Sequence, residues 1–341
     1  MVILSVESSC DETAVALTEN GRRVLVDEIS SQVDLHAVYG GVVPELASRS
    51  HIQAVSRLAE SALAKSGIHR RDIDAVAVTA APGLIGALLV GVNFAKAAAL
   101  ALGVSLVPVH HIRGHIAANY IAYPQLEPPF VCLVVSGGHS LIVDVRDYTD
   151  MRVLGSTRDD AAGECFDKTA RVLGLGYPGG AKLDELALTG DPHKYELPRS
   201  RIDGYPLDMS FSGLKTAVIN LVHTAEQRGE AIDKNSLAAC VCRAVSETVV
   251  SRSVEAALKL GYGRLAAAGG VAANSFIRRD LTAAAGKHSL SLYLAPLRLC
   301  GDNAAMIGSQ AYYEYLAGAR ADASLNAYAS MPVDRPTFFD S

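Results

Sequence analysis

The sequence predicts a duplicated, two-lobed α/β protein, and three observations carry that prediction. An apolar run at 2–7, the polar turn Ser8-Ser9-Cys10-Asp11-Glu12 and alternating stretches at 13–18 and 23–29 describe a three-strand meander. The same grammar returns after Tyr123-Pro124: an apolar run at 130–135, the turn Ser136-Gly137-Gly138-His139, a strand at 141–145 and a closing stretch at 152–155. Finally, a chain of 341 residues, half of them hydrophobic, is too long for one small core and suits two lobes with a cleft.

Each meander leads into alternating helices and strands. In the first half the pattern gives a helix at 44–66, a strand at 74–79 and a helix at 84–102. In the second it gives helices near 161–174, 212–226 and 235–260, a strand at 265–268, a helix at 274–285 and a strand at 290–294. The expected division is 1–110 plus about 305–330 for the first lobe, 111–304 for the second and 331–341 as a C-terminal tail. Two such lobes, each opening on a hairpin with a small polar turn, resemble the actin, Hsp70 and sugar-kinase fold. In that fold both hairpin turns face the phosphates of a nucleotide in the cleft, which is an analogy of architecture and not of chemistry.

Composition narrows the function classes. A formal net charge of −5 argues against a broad, sequence-independent hold on nucleic acid, which needs clustered Lys and Arg. His69-Arg70-Arg71 and Arg278-Arg279 are the densest basic clusters and read as solvated faces. Six scattered cysteines without C-x-x-C pairing read as reduced, mostly buried thiols of a cytoplasmic protein. The start runs straight into a strand pattern rather than a signal peptide, and the apolar stretch at 84–102 carries Asn93 and Lys96, as a buried core helix would.

His111 and His115 stand four apart, which on a helix stacks both imidazoles on one face, as a shared metal ion requires. A zinc protease of the H-E-x-x-H type needs glutamate after the first histidine, and position 112 is isoleucine. A third ligand must come from elsewhere, and Asp302 in Cys300-Gly301-Asp302-Asn303, a glycine-flanked carboxylate opening a helix, is the best remote candidate.

Phosphate-binding features lie in the second half. After a strand, Ser136-Gly137-Gly138-His139 leaves backbone N–H groups accessible to an anion. Ala268-Gly269-Gly270-Val271-Ala272-Ala273-Asn274 joins a strand to a helix start, where amides collect negative charge and an asparagine suits a sugar or base. Asp159 and Asp160 precede a helix and read as its caps, whereas Asp167 and Asp184 fall within helices and suit ribose hydroxyls, salt bridges to Lys168 and Lys182 being the alternative. Asp11 and Glu12 in the first hairpin turn suit a base or a metal–water contact, and Cys10, without an adjacent histidine, reads as a small buried thiol.

The segments Val6-Glu7-Ser8-Ser9-Cys10-Asp11-Glu12-Thr13, His36 to Arg49, His111 to His115, Val135 to His139, Ala161 to Thr169, Gly174 to Gly180, Phe211 to Lys215 and Gly269 to Asn274 together resemble the tRNA N6-adenosine threonylcarbamoyltransferases, once labelled O-sialoglycoprotein endopeptidases. The match runs from residue 2 to about 317, and Gly40 to Arg49 looks like the bacterial and organellar branch. The resemblance implies metal ligands at His111, His115 and Asp302, with one divalent ion per subunit, iron(II) ahead of zinc(II). It implies nucleotide contacts at Val134, Val135, Ser136, Gly137, Gly138, Asp167, Gly180, Asp184 and Asn274. The implied reaction moves a threonylcarbamoyl group from threonylcarbamoyl-AMP to N6 of adenosine 37 in the anticodon loop of tRNAs reading ANN codons, with Asp11 or Glu12 assisting proton removal. Implied partners are a paralogous dimerisation subunit of the TsaB type, docked on the first lobe, and a small ATPase of the TsaE type. One departure stands out: many bacterial members carry glutamate where this chain has Arg113, a basic group beside the site that would alter substrate contacts or the surface. A small-metabolite kinase of the same fold, a metalloprotease and a non-catalytic assembly subunit are the alternatives.

Overall fold

The protein's structure, a computed structural model, describes residues 1–200, 202–334 and 338. Two compact units emerge: Met1–Pro128 with Arg146–Arg152 and Ala295–Ser341, and Pro129–Val145 with Val153–Leu294.

In the first unit, β1 (Val2–Glu7), β2 (Glu12–Glu19) and β3 (Arg23–Ser31) form the antiparallel meander read from the sequence. A short α1 (Val33–Ala37) and the long α2 (Pro44–Ser66) lead to β4 (Ala75–Ala81), α3 (Ile85–Leu102), β5 (Ser105–His110) and α4 (His111–Ala122). β4 pairs parallel with β1 and β5 parallel with β4, giving the order β3-β2-β1-β4-β5. All seven residues of β4 are buried, which explains its unbroken small and apolar sequence: helices cover both of its faces. Alternation sorts the strand side chains. Leu4, Val6, Val76 and Val78 join the core beneath α2 and α3, while the Ser5 hydroxyl donates to Ala304 O at 2.7 Å on α10 (Ala304–Leu316).

The second unit repeats the plan. β6 (Phe130–Val135), β7 (Ser140–Val145) and β8 (Met151–Ser156) form the meander. There follow α5 (Ala162–Val172), α6 (Gly179–Ala187), α7 (Ser212–Arg228), α8 (Lys234–Leu260), β9 (Arg264–Ala268), α9 (Ser275–Lys287) and β10 (Ser291–Leu294). The sheet order, β8-β7-β6-β9-β10, matches the first sheet strand for strand, as a duplication requires. A separate apolar core gathers α5, α7 and α8 on this sheet, with Phe166, Phe211 and Leu237 nearly or fully buried.

The division differs from the one expected. α4 and residues 295–304 belong to the first unit, because α4 packs along α10 and the α10 start is tied to the first meander, Ala304 N–H donating to Asp27. The expected tail is in part packed structure: Met331 and Val333 are buried, while 335–337 and 339–341 lie outside the described residues. α3 buries only one face, through Ala87, Leu88, Val92 and Ala95, and leaves Ile85, Leu89 and Leu100 exposed. By length and composition it is the one helix among the described residues apolar enough to cross a membrane.

Candidate metal centre and nucleotide turns

β5 delivers the histidines. His110 ends the strand and caps α4, its Nδ1 accepting from Ile112 N–H at 3.2 Å. His111 opens the helix and His115 follows one turn on, so the two rings meet edge to face with centroids 4.6 Å apart. Gly114 between them lets α4 lie close to α10, where a Cβ would approach Ile307 Cδ1 to 2.6 Å. Asp302 stands just before Asn303, which caps α10 by accepting from Met306 N–H. Its Oδ1 lies 3.5 Å from His111 Nε2 and 3.2 Å from His115 Nε2.

These three ligand atoms lie within 4.8 Å of one another. Donors about 2.0–2.2 Å from a divalent ion in tetrahedral array stand about 3.4 Å apart, close to the two distances from Asp302 to the imidazoles. His115 is buried and its Nδ1 has no hydrogen-bond partner among the described residues, an unmet polar group of the kind found around functional centres.

Charge is concentrated here. Burial opposes protonation of His111, but the carboxylates of Asp302 and Glu7 outweigh it and hold the imidazole pKa well above its usual value. Burial would raise Asp302, yet His111 and then His115 hold it below the carboxylate range. The β1–β2 turn adjoins the cluster, Ser9 Oγ lying 3.2 Å from His111 Nδ1. In that turn Asp11 is buried, and burial together with the charges of Asp302 and Asp11 pushes Glu12 up to about 9. The same influences raise the Cys10 thiol, which removes it as a nucleophile. The sequence alone assigns Glu7 no role. The one available signal was an acid ending a buried apolar strand, and Glu7 proves fully buried and 2.9 Å from His111 Nδ1.

The expected nucleotide residues converge at one end of the second sheet. Ser136 to His139 closes the β6–β7 hairpin, with Gly137 and Gly138 exposed and open space around both. Gly163 in α5 abuts this turn, where a Cβ would meet Ser136 O at 2.6 Å. Gly269 takes φ +92° beside the end of β6, where a Cβ would meet Val135 O at 2.3 Å. Asp167 accepts from the Gly179 and Gly180 amides at 2.9 and 3.1 Å, fixing the start of α6. One turn along α6, Asp184 accepts from Asn274 Nδ2 at 2.8 Å and from the Ser275 hydroxyl at 2.7 Å. Asn274 in turn caps α9, its Oδ1 accepting from Phe276 and Ile277 N–H.

Several side chains therefore have partners other than those expected. Lys168 pairs with Asp160 and Glu164, and Lys182 donates to Tyr177 O. Asp159 caps not α5 but the distant α7, accepting from Phe211 and Ser212 N–H and from the Ser210 and Ser212 hydroxyls. Arg113 is buried and meets no surface: it donates to Val333 O at 2.9 Å, Thr149 O at 3.0 Å and Glu314 Oε1 at 3.1 Å.

The architecture defines the class: a duplicated α/β protein of the actin, Hsp70 and sugar-kinase fold, bearing two histidines and an aspartate in a cluster able to hold a metal ion. Solved structures share the fold at low identity. HypF from T. kodakarensis matches with a TM-score of 0.63 and 16% identity over 93% of this chain and 48% of that one. Component A of (R)-2-hydroxyglutaryl-CoA dehydratase from Acidaminococcus fermentans matches with a TM-score of 0.53 and 14% identity over 94% and 100%. The family model for TsaD, tRNA N6-adenosine threonylcarbamoyltransferase, matches residues 23–309. Proteins of that name from Moorella thermoacetica and Clostridium botulinum strain Hall are 51% and 48% identical, over 97% and 96% of this chain and 97% of each relative. The chain belongs to the tRNA N6-adenosine threonylcarbamoyltransferase family.

Proposed function

We propose that the chain transfers the threonylcarbamoyl group of threonylcarbamoyl-AMP to N6 of adenosine 37 in tRNAs reading ANN codons. The observation that carries this reading is the assembled His111, His115 and Asp302 cluster in a member of this family. N6 bonds to the carbamoyl carbon, the bond from that carbon to the phosphate oxygen breaks, a proton leaves N6 and AMP departs. The donor is an activated mixed anhydride, so position and charge stabilisation matter more than a covalent nucleophile.

His111, His115 and Asp302 would hold one divalent ion, iron(II) ahead of zinc(II), since two imidazoles and a carboxylate suit either metal and leave coordination positions open. Such an ion supplies Lewis acidity to a donor oxygen, typically worth several kcal/mol. Val134, Val135, Ser136, Gly137, Gly138, Asp167, Gly180, Asp184 and Asn274 take the AMP portion, supported by their convergence and by the exposed Gly137 and Gly138 amides. Asp11 is the acceptor for the N6 proton. Glu12, pushed to about 9 by burial and by the charges of Asp302 and Asp11, keeps its proton at neutral pH, which leaves Asp11 as the acceptor of the pair.

Adenosine 37 must be unstacked to react. A net charge of −5 supports tRNA binding shared with partners, a paralogous TsaB-type dimerisation subunit and a TsaE-type ATPase. Ile52 on α2 with Ile85 and Leu89 on α3, respectively 64%, 48% and 37% exposed, supports docking of the former on the first unit. Free thiols support a cytoplasmic setting.

Reconstitution with these partners, tRNA and donor, read by mass spectrometry of tRNA nucleosides, tests the reading. Wild-type protein should form the modified nucleoside, and His111→Ala should form none while melting at nearly the same temperature. Substantial activity in His111→Ala refutes the metal role, and phosphoryl transfer from ATP to a small metabolite would point instead to a kinase.

A further inference from the structure

Glu7 has no exposure, and an ionisable side chain held out of water must be accounted for by its partners. Its environment is built by three neighbouring strands. β1, β4 and β5 lie side by side and parallel, and their C-terminal ends deliver Glu7, Thr79 and, directly after His110, His111. Oε1 of Glu7 accepts from Ser9 N–H at 2.5 Å. Oε2 accepts from the Thr79 hydroxyl at 2.6 Å and lies 2.9 Å from His111 Nδ1.

Both oxygens of Glu7 already accept, Oε1 from the Ser9 N–H and Oε2 from the Thr79 hydroxyl, so Glu7 faces the ring as an acceptor and the hydrogen between it and His111 sits on Nδ1. When the ring is neutral, Nε2 then carries the lone pair, and Nε2 is the nitrogen 3.5 Å from Asp302 Oδ1. We propose that Glu7 is a positioning residue of the metal centre, fixing His111 in the tautomer and orientation that present Nε2 as ligand, with Thr79 fixing Glu7 in turn. The two histidines are thereby unequal, because Nδ1 of His115 has no corresponding partner among the described residues. The inference rests on the cation reading above and adds a residue outside the three ligands.

Glu7→Gln keeps the shape and inverts the pattern. A single amide oxygen cannot serve the three donors of Ser9, Thr79 and His111, and the amide NH2 facing Nδ1 turns that nitrogen into the acceptor, leaving the hydrogen on Nε2. Zinc affinity of the full-length chain, measured by chelator competition, should fall about 10- to 100-fold in Glu7→Gln. Thr79→Val, which leaves the carboxylate in place, should show a smaller loss and serves if Glu7→Gln does not fold. Nitrogen NMR of the histidine rings in chelated protein at alkaline pH should show His111 protonated at Nδ1 in the wild type and at Nε2 in Glu7→Gln, a change no general loss of stability produces. The proposal is overturned if zinc affinity drops in His111→Ala but stays at the wild-type level in Glu7→Gln or Thr79→Val, or if the tautomer is the same in both proteins. Absence of zinc binding by the wild type overturns the cation reading and this proposal together.

Discussion

Gly114 of α4 lies against Ile307 of α10 so closely that a methyl group on Gly114 would come within 2.6 Å of Ile307 Cδ1. The contact falls between His111 and His115 in sequence, and α10 starts two residues after Asp302, so the same approach of helices that seals the core brings Asp302 to the two histidines.

A bulkier residue at 114 would therefore disturb the spacing of His111, His115 and Asp302. Alanine meets only the far end of a flexible side chain and gains up to about 1 kcal/mol of helix propensity, so Gly114→Ala should leave stability within about 1 kcal/mol of wild type. Valine must push the helices apart. Gly114→Val should cost about 1–3 kcal/mol and weaken zinc binding at least about tenfold. Chelator competition and thermal melts check both, and undiminished zinc affinity in Gly114→Val would dissociate helix spacing from ligand geometry.

The charge around His111 makes cation binding pH-dependent. A histidine must be neutral to ligate, and His111 is held protonated well above its usual 6.5, so an ion bound there would displace a proton. Affinity should rise by up to about tenfold per pH unit through the neutral range, and a flat profile in chelator competition would refute the linkage. Stability of chelator-treated protein runs the other way. The stabilisation from charged His111 is complete below 6.5 and is lost as pH rises through its raised pKa. Glu12 adds to the trend: between 4.5 and about 9 the folded chain keeps a proton that the unfolded chain has lost, so stability falls as pH rises across that window. Glu12→Gln should flatten the slope of melting temperature against pH over that window.

Much of this arrangement is legible in the sequence because it rests on local periodicity. Period-two runs locate both meanders, and the four-residue spacing of His111 and His115 fixes their common face once a helix forms. Asp302 is legible because glycine and asparagine mark the start of α10. What escaped depends on contacts distant in the chain. The unit boundary follows from α4 meeting α10, a pairing that sequence order does not encode. Asp159 looks like a cap for the helix it precedes, but its acceptors are taken by Ser210 to Ser212, more than fifty residues on. Glu7 reads as the polar end of a strand until Thr79 and His111 are seen beside it.

Asp184 should act on nucleotide binding through Asn274. It receives charge-assisted hydrogen bonds from the Asn274 amide and from Ser275, which anchor the start of α9 beside the Gly269 turn. Asp184→Ala leaves these donors unpaired and should cost about 1–3 kcal/mol of stability. With AMP as the probe, calorimetry should show binding weakened about tenfold or more, the effect of a displaced cap rather than of one lost contact. Unchanged AMP affinity would confine Asp184 to a structural role.

Arg113 is held by acceptors alone. Its guanidinium serves the carbonyls of Val333 and Thr149 and the Glu314 carboxylate, joining α4, α10 and the segment after it, while His110 Nε2 lies 3.0 Å from Met331 O on the same segment. Lysine carries the charge but cannot span this fork, so Arg113→Lys should lose about 1–2 kcal/mol. Arg113→Glu places a buried carboxylate against Glu314 and two carbonyl oxygens and should cost about 3–5 kcal/mol. Glu314→Lys in the Arg113→Glu background restores a charge pair at that point, though not the bonds to Val333 and Thr149. Denaturant unfolding of the four proteins should therefore place the double variant between Arg113→Glu and wild type. If Arg113→Glu alone is as stable as wild type, the guanidinium is not what fastens the C-terminal segment to α4.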